Sequence, residues 1–479
     1  MTKPLEHILN QLGLIENNAV FFREEKNGPV FKGFSSELQK KIDIIKPDAI
    51  YVFNQQPFIL FFDLTQNTST EKEIHKQVWS FDQAPVIFII KKTEVNIFNA
   101  FNYNKKIDCL EEIKLTEKER NEKFSFWNLQ SGFVWKNWFQ QEYLEKTRKN
   151  NTRKRANQRL FENIKQVREA LTNSKITNKL SDDEANTLIL RLIFIRYLID
   201  RGVGIDENYI NGKNTIEKRL SFCELIEKPK SLNQLFDKLN DRFNGVLFKN
   251  VDITLTKDQS KSLAEVFKGE KPEQGTLFYG FEYYFEIFDF SIIPVEVISG
   301  IYESLIDEET RKLDSAVYTP SFLVEYILND TVEKYLEDNK ISECKIFDAA
   351  VGSGIFLVQS LRRMIDKEMI LKNGLTKKQL SERIREIAKN NLFGIDINLQ
   401  ALKVTCFSIY IALLDYQEPK DIDKYEFPNL INENLFEANF FNEDSSFNEI
   451  IRKQKLNFIL GNPPWKNGSK DKCHTAYLK

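Results

Sequence analysis

The hydrophobic pattern changes period along the chain, and each change marks a predicted domain. Between about residues 20 and 105, apolar residues come in short runs: Ala49-Ile50-Tyr51-Val52-Phe53, Phe58-Ile59-Leu60-Phe61-Phe62, Pro85 to Ile90 and Val95-Asn96-Ile97-Phe98. Short runs rich in β-branched and aromatic residues predict four strands, and helical spacing from roughly Glu71 to Phe81 predicts a helix between the second and third. Together they make a small α/β domain, residues 1–125. From Arg159 to about Tyr302 the period is helical. Leu188, Leu190, Leu192, Ile193, Phe194, Ile195, Tyr197, Leu198 and Ile199 are apolar nearly all round, which predicts a buried helix that stops at Arg201-Gly202. It would lie in a helical connector, residues 126–310. Beyond residue 311 buried-strand runs alternate with helical ones, the order of a parallel α/β sheet.

The last such run, Leu456 to Gly461, stops at Asn462-Pro463-Pro464-Trp465. Parallel sheets bind ligands just beyond the carboxyl ends of their strands. Asn462 offers a side-chain carbonyl acceptor, and Pro463, which lacks an N–H, offers a second one in its C=O. Two acceptors on one amino group hold both of its protons and leave the lone pair free to attack. The paired prolines fix the turn before any reaction begins. Trp465 adds a flat face on which a base can stack, a contact worth about 1–3 kcal/mol. The same four residues also read as a Pro-Pro turn with a core tryptophan.

Upstream, Lys345-Ile346-Phe347-Asp348 reads as a strand, Ala349-Ala350-Val351-Gly352-Ser353-Gly354 as a glycine turn, and Ile355-Phe356-Leu357 as the start of a helix. Glycines suit a backbone that passes close to a ligand, and the helix N-terminus behind them favours polar groups. The turn lacks the third glycine of the dinucleotide fingerprint. A second strand, Asn391 to Ile397, should end in an acid for ribose hydroxyls, and it carries Asp396. That acid comes about 48 positions after Asp348, against about 20 in the dinucleotide pattern, so an extra helix must intervene. Thr376 to Asn390 suits it, with Thr376 and Gln379 spaced as a capping box. A further helix spans Gln400 to Leu414, and Phe436 to Phe441, including Asn439 and Phe440, could close over an adenine ring. Tyr318-Thr319-Pro320 leads into a helix from Phe322 to Tyr335, which on its own is ordinary capping.

In the N-terminal domain, Pro47-Asp48, Asp63-Leu64-Thr65 at a strand end, and Gln77 on the helix resemble a degenerate PD-(D/E)xK nuclease core. That resemblance implies two carboxylates on a metal with a lysine beside the attacking water. Thr65 stands where the lysine belongs, so Lys72 or Lys76 would have to substitute. Two aspartates closing strands in turns is the simpler alternative. Trp135, Trp138 and Phe139 have helical core spacing. Lys146, Arg148, Lys149, Arg153, Lys154, Arg155 and Arg159 form a basic cluster that suits either phosphate contact or a solvated helix face.

The totals limit the classes open to the chain. A formal charge of −2 over 479 residues argues against a uniformly basic nucleic-acid coat. Five scattered cysteines, with no CxxC pair, and three histidines disfavour a disulfide framework or a zinc site, and point to a reducing cytoplasm. The apolar runs are too short to span a membrane.

Taken in order, Tyr318-Thr319-Pro320, Asp348 to Phe356, Asp396-Ile397, Asn439-Phe440 and Asn462-Pro463-Pro464-Trp465 resemble motifs X, I, II, III and IV of gamma-class adenine-N6 DNA methyltransferases. A nuclease-like domain, helical connector and methylase in sequence resemble the fused type IIG restriction–modification enzymes and related phage-defence methylases. The resemblance implies a Rossmann-like methyltransferase sheet over 311–479 with S-adenosylmethionine across the Gly352–Gly354 turn. Tyr318, Thr319, Pro320 and Asp348 would lie near its methionine part, Asp396 on its ribose, and Asn439 and Phe440 beside its adenine. Ala350, Phe356 and Ile397 complete the implied cofactor set. An adenine flipped from double-stranded DNA would stack on Trp465, with its amino group held by Asn462 and Pro463 and the turn fixed by Pro464. Mg2+ would be needed only by an active nuclease in the N-terminal domain. Ala349 replaces the proline common in motif I, and Asn439 replaces the usual aspartate of motif III.

Only 14 residues follow Trp465. A sheet of this family continues past its fourth strand and is followed by a target-recognition domain. A second polypeptide or a continuation is therefore expected to cover the apolar edge. The alternative functions are a non-catalytic subunit that binds DNA or the cofactor, and a protein or RNA methylase, since some glutamine methylases share Asn-Pro-Pro followed by an aromatic residue.

Overall fold

A computed structural model describes residues 2–23, 34–53, 56–65, 70–134, 155–176, 178–243, 253–269, 277–278, 285–293, 297, 321–372, 374–418, 426–442, 445 and 447–462. The chain forms two compact units, residues 1–160 with 282–293, and residues 161–281 with 294–479.

The first unit is built on a six-stranded sheet in sequential order: β1 (Val20–Phe22), β2 (Ala49–Phe53), β3 (Gln56–Asp63), β4 (Val86–Ile90), β5 (Val95–Asn104) and β6 (Cys109–Glu112). All neighbours are antiparallel except β3 and β4. Helices α1 (Lys3–Gln11), α2 (Ser36–Ile45) and α3 (Glu71–Phe81) accompany it. α3 provides the crossover that a parallel pair requires, and it begins at a Thr70–Glu73 capping box. Phe61 and Phe88 meet with ring centroids 5.0 Å apart in the core, and Trp79 stacks on Phe288 at 5.2 Å. The four expected strands and the expected helix are present. β1, β6, α1 and α2 are additions to that expectation.

Within the basic cluster, Arg155 serves the fold. Arg155 binds buried Asp82 (Nε to Oδ1, 2.8 Å), and its guanidinium lies 3.8 Å from the Phe101 ring centroid. Lys146, Arg148, Lys149, Arg153 and Lys154, and the Trp135, Trp138 and Phe139 trio, lie outside the described residues.

The second unit contains helices α4 (Asp182–Asp200), α5 (Thr215–Ile226), α6 (Pro229–Phe243) and α7 (Lys257–Lys268). α4 is buried from Ala185 to Ile199 and ends where expected, with Gly202 at φ +74°. Next come α8 (Ser321–Leu328), a π turn (Asn329–Glu333), α9 (Lys334–Asn339), β7 (Ile346–Asp348), α10 (Ile355–Leu371), α11 (Lys377–Asn391) and β8 (Leu392–Asp396). α12 (Leu399–Asp415), β9 (Leu435–Glu437), α13 (Phe447–Arg452) and β10 (Phe458–Ile459) complete the unit. α11 is the intervening helix expected between the two acids, and the Thr376–Gln379 capping box opens it. The helices read as a connector share a core with those of the sheet. The Tyr197 hydroxyl donates to Asp415 Oδ1 at 2.7 Å, and Phe194 meets Phe407 at 5.7 Å.

The sheet of this unit is wholly parallel, in the order β10-β7-β8-β9. The chain winds outward from β7 through β8 to β9, then returns to place β10 on the other side of β7. Strand order reverses between β7 and β10, and that is where an open α/β sheet leaves a crevice. β10 is held by more than its short ladder. Asn457 accepts the Lys345 N–H at 2.7 Å through Oδ1 and donates to the Tyr335 hydroxyl at 2.8 Å through Nδ2.

Candidate active site

β7 ends at Asp348, β8 at Asp396, and β10 leads into Gly461 and Asn462, so these residues gather along one rim of the sheet. Asp348 is 1% exposed, and its Oδ1 accepts the Ala350 N–H at 3.0 Å. Burial pushes its carboxyl up to about 7; the Ala350 N–H opposes that shift, and the negative charge of Asp396 adds to it.

Asp396 orients the turn opposite. Its Oδ2 accepts the Gly352 N–H at 3.0 Å and its Oδ1 accepts the Asn398 N–H at 2.9 Å. Gly352 and Gly354 both have positive φ, +53° and +80°, but they serve different ends. A side chain at Gly352 would point into open space, as a surface facing a ligand requires. A Cβ at Gly354 would come 2.7 Å from Thr405 Cγ2, and the hydroxyl of Thr405 donates to the Gly352 carbonyl at 3.0 Å. The second glycine therefore makes room for α12, and Thr405 braces the turn from beneath.

Two further contributors escaped the sequence reading, Thr405 and Gly394. Val351 Cγ1 fills the space a side chain on Gly394 would need, and the Val351 N–H donates to the Ile395 carbonyl at 3.0 Å. An isolated glycine inside a strand signals such a close approach. For Thr405 there was no signal, because the contact exists only after folding.

Ala350 is half-buried in the turn, while Phe356 is 3% exposed and faces the core. Ile397 is exposed beyond β8. Beyond β9, Asn439 Oδ1 accepts the Phe441 N–H at 3.0 Å, and Phe440 presents a partly exposed ring with its centroid 6.4 Å from that of Phe347. Phe436 and Glu437 belong to β9 itself. Asn462 is half-buried beside this rim. Tyr318, Thr319, Pro320, Pro463, Pro464 and Trp465 lie outside the described residues.

In the first unit, Asp48 Oδ2 accepts the Asp63 N–H at 2.7 Å. Asp63 Oδ1 accepts both the N–H (2.8 Å) and the hydroxyl (2.5 Å) of Thr65, and its Oδ2 accepts the Thr2 hydroxyl. Lys72 pairs with Asp108 in the β5–β6 turn, and the charge of Lys76 acts on the same aspartate. Among the described residues no group of three or more His, Cys, Asp or Glu side chains could hold a metal ion.

Open parallel sheets of this kind place ligands beyond the carboxyl ends of their strands, and here an acid closes each of two adjacent strands while a glycine turn is bonded to the second acid. Residues 390–479 match the model of the Eco57I restriction-modification methylase family. Similar proteins include the adenine-specific methyltransferase PglX of Streptomyces coelicolor, 23% identical over 58% of this chain and 26% of the relative. The type II methyltransferase M.BstVI of Geobacillus stearothermophilus is 26% identical over 34% of this chain and 26% of its own. The type II restriction enzyme and methyltransferase RM.Eco57I of Escherichia coli is 23% identical over 78% of this chain and 41% of the relative. The chain thus spans 26–41% of the length of these relatives. Among solved structures, the type IIL restriction-modification enzyme MmeI in complex with DNA is similar over 66% of this chain and 45% of that one, with a TM-score of 0.47 and 18% identity. Among the described residues no helix is long and apolar enough to cross a membrane.

Proposed function

We propose that this chain forms the cofactor-binding part of an adenine-N6 DNA methyltransferase serving a restriction–modification or phage-defence system in the cytoplasm. The observation that carries this reading is the gathering of Asp348, Asp396 and Asn462 at adjacent parallel strand ends astride the point where strand order reverses. The family match and the names of the relatives support methyl transfer to adenine.

The residues present suit S-adenosylmethionine. Asp348 is a buried acid with one N–H donor beside a second acid, an arrangement suited to a cationic amine and hydroxyl groups. A Cβ on Gly352 would meet no described atom within 4 Å. When bound, this cofactor supplies a methyl group activated by a sulfonium. Asp348 would bind its ammonium. Asp396, already oriented by two backbone N–H groups, would accept the ribose hydroxyls, and Phe440 with Asn439 would flank the adenine.

On the acceptor side, the Asn462 side chain and the Pro463 carbonyl would take the two amino protons of the target base. The nitrogen lone pair is then free, and Trp465 supports the extruded ring. Alignment and exclusion of water supply most of the acceleration. The second polypeptide or further strands expected from the sequence would pair along β10, whose Ile459 is 66% exposed.

Calorimetry with S-adenosylmethionine, followed by transfer of labelled methyl to DNA, RNA and protein, tests this reading. Binding that disappears in Asp348→Ala, with label recovered at adenine N6, is expected. Binding without transfer to any acceptor would make the chain a non-catalytic subunit, and label recovered in glutamine would make it a protein methylase. No binding at all would overturn the proposal.

A further inference from the structure

Gly461 lies on the acceptor strand next to the donor-site acid. A Cβ built on it would stand 2.5 Å from Asp348 Oδ1 and 3.3 Å from its Cγ, closer than unbonded carbon and oxygen approach. The crowded atom is Oδ1, the one that accepts the Ala350 N–H at 3.0 Å. Neither side has an easy retreat. Asp348 is sealed at the end of β7, and β10 is tied to β7 by the Leu460 N–H on the Phe347 carbonyl at 2.9 Å and by the Asn457 bonds.

We propose that Gly461 is a positioning residue whose missing side chain lets the Asp348 carboxylate lie against the acceptor strand, so that the cofactor-binding acid and Asn462 share one fixed spacing. This rests on the reading of Asp348 as the acid that binds the cofactor amine. Because β10 is held to β7, a methyl group at position 461 drives Oδ1 off the Ala350 N–H. The carboxylate then loses its one N–H donor among the described residues, and its charged form becomes harder to maintain. Among those residues Asp396 is the charged group acting on it.

Two measurements on the 479-residue chain decide the matter. The first compares S-adenosylmethionine affinity of the wild type and Gly461→Ala across pH, as a ratio in which titration of the cofactor's own amine cancels. An upward shift of about one pKa unit in Asp348 makes the variant about tenfold weaker near pH 6 and nearly equal to wild type near pH 9. A ratio that does not change with pH, or equal affinities throughout, overturns the inference. The second is a thermal cycle. Gly461→Ala should lower the melting temperature in the wild-type background and leave it nearly unchanged in Asp348→Ala, where the crowded oxygen is gone.

Equal losses in both backgrounds overturn the inference. If Gly461→Ala alone does not fold, the double variant should fold like Asp348→Ala, and its failure to do so is a refutation. A wild-type chain that binds no cofactor overturns the functional reading and this inference together. Wild-type binding with an unaffected variant removes only the role of Gly461.

Discussion

Asp63 and Asp348 are buried to nearly the same degree, 3% and 1% exposed, each at the carboxyl end of a strand with a parallel neighbour. Their surroundings differ. Asp63 is saturated by the Thr65 N–H, the Thr65 hydroxyl and the Thr2 hydroxyl. Asp348 has one N–H and a neighbouring acid. Burial alone therefore does not separate the two acids; among the described residues the supply of donors does. Among the described residues Asp63 finds its donors within the protein, whereas no positive charge acts on Asp348, the charge that the proposed cationic ligand would bring.

The sharpest way to break this contrast is to truncate both acids. Asp348→Ala should weaken S-adenosylmethionine binding about 30-fold or more, because truncating one partner of a buried charge pair costs about 2–5 kcal/mol. Its fold should be retained, as circular dichroism would show. Asp63→Ala should do the reverse: cofactor affinity unchanged by calorimetry, and a stability loss of about 1–3 kcal/mol in urea from donors left without an acceptor.

A smaller effect is the pH dependence of the cofactor-free fold. The folded-state pKa of Asp348 is raised, so its contribution is fully present below the ordinary value of 3.8 and is lost as pH rises through about 7. Asp348→Asn should therefore be the more stable form above pH 7, and its melting temperature should change less across that window. The smallest expected effect is that of Thr405→Val, which keeps the volume beneath Gly354 but loses the bond to the Gly352 carbonyl. It should cost about 1 kcal/mol in cofactor binding. A loss as large as that of Asp348→Ala would mean that bracing the turn matters as much as charge.

Strand runs, α3, buried α4 and inserted α11 with its capping box were legible in the sequence because each rests on local periodicity or capping. β1 was not, since three residues carry no period, and α1 and α2 went unread although Thr2 and Ser35 cap them. The acids closing β7 and β8 were legible as strand-end chemistry. Gly354 read as part of a ligand cradle and instead accommodates Thr405, and Gly461 read as the end of a strand and instead borders Asp348. Both belong to contacts between segments distant in sequence. Arg155 read as one member of a basic run, and only the folded chain pairs it with Asp82.

The ladder between β10 and β7 registers two residue pairs, and an amide side chain at the base of β10, bonded to Lys345 and Tyr335, adds a further foothold. How far Asn462 projects is thus adjustable by exchanging one side-chain pair at positions 457 and 335, with the acids at 348 and 396 left alone.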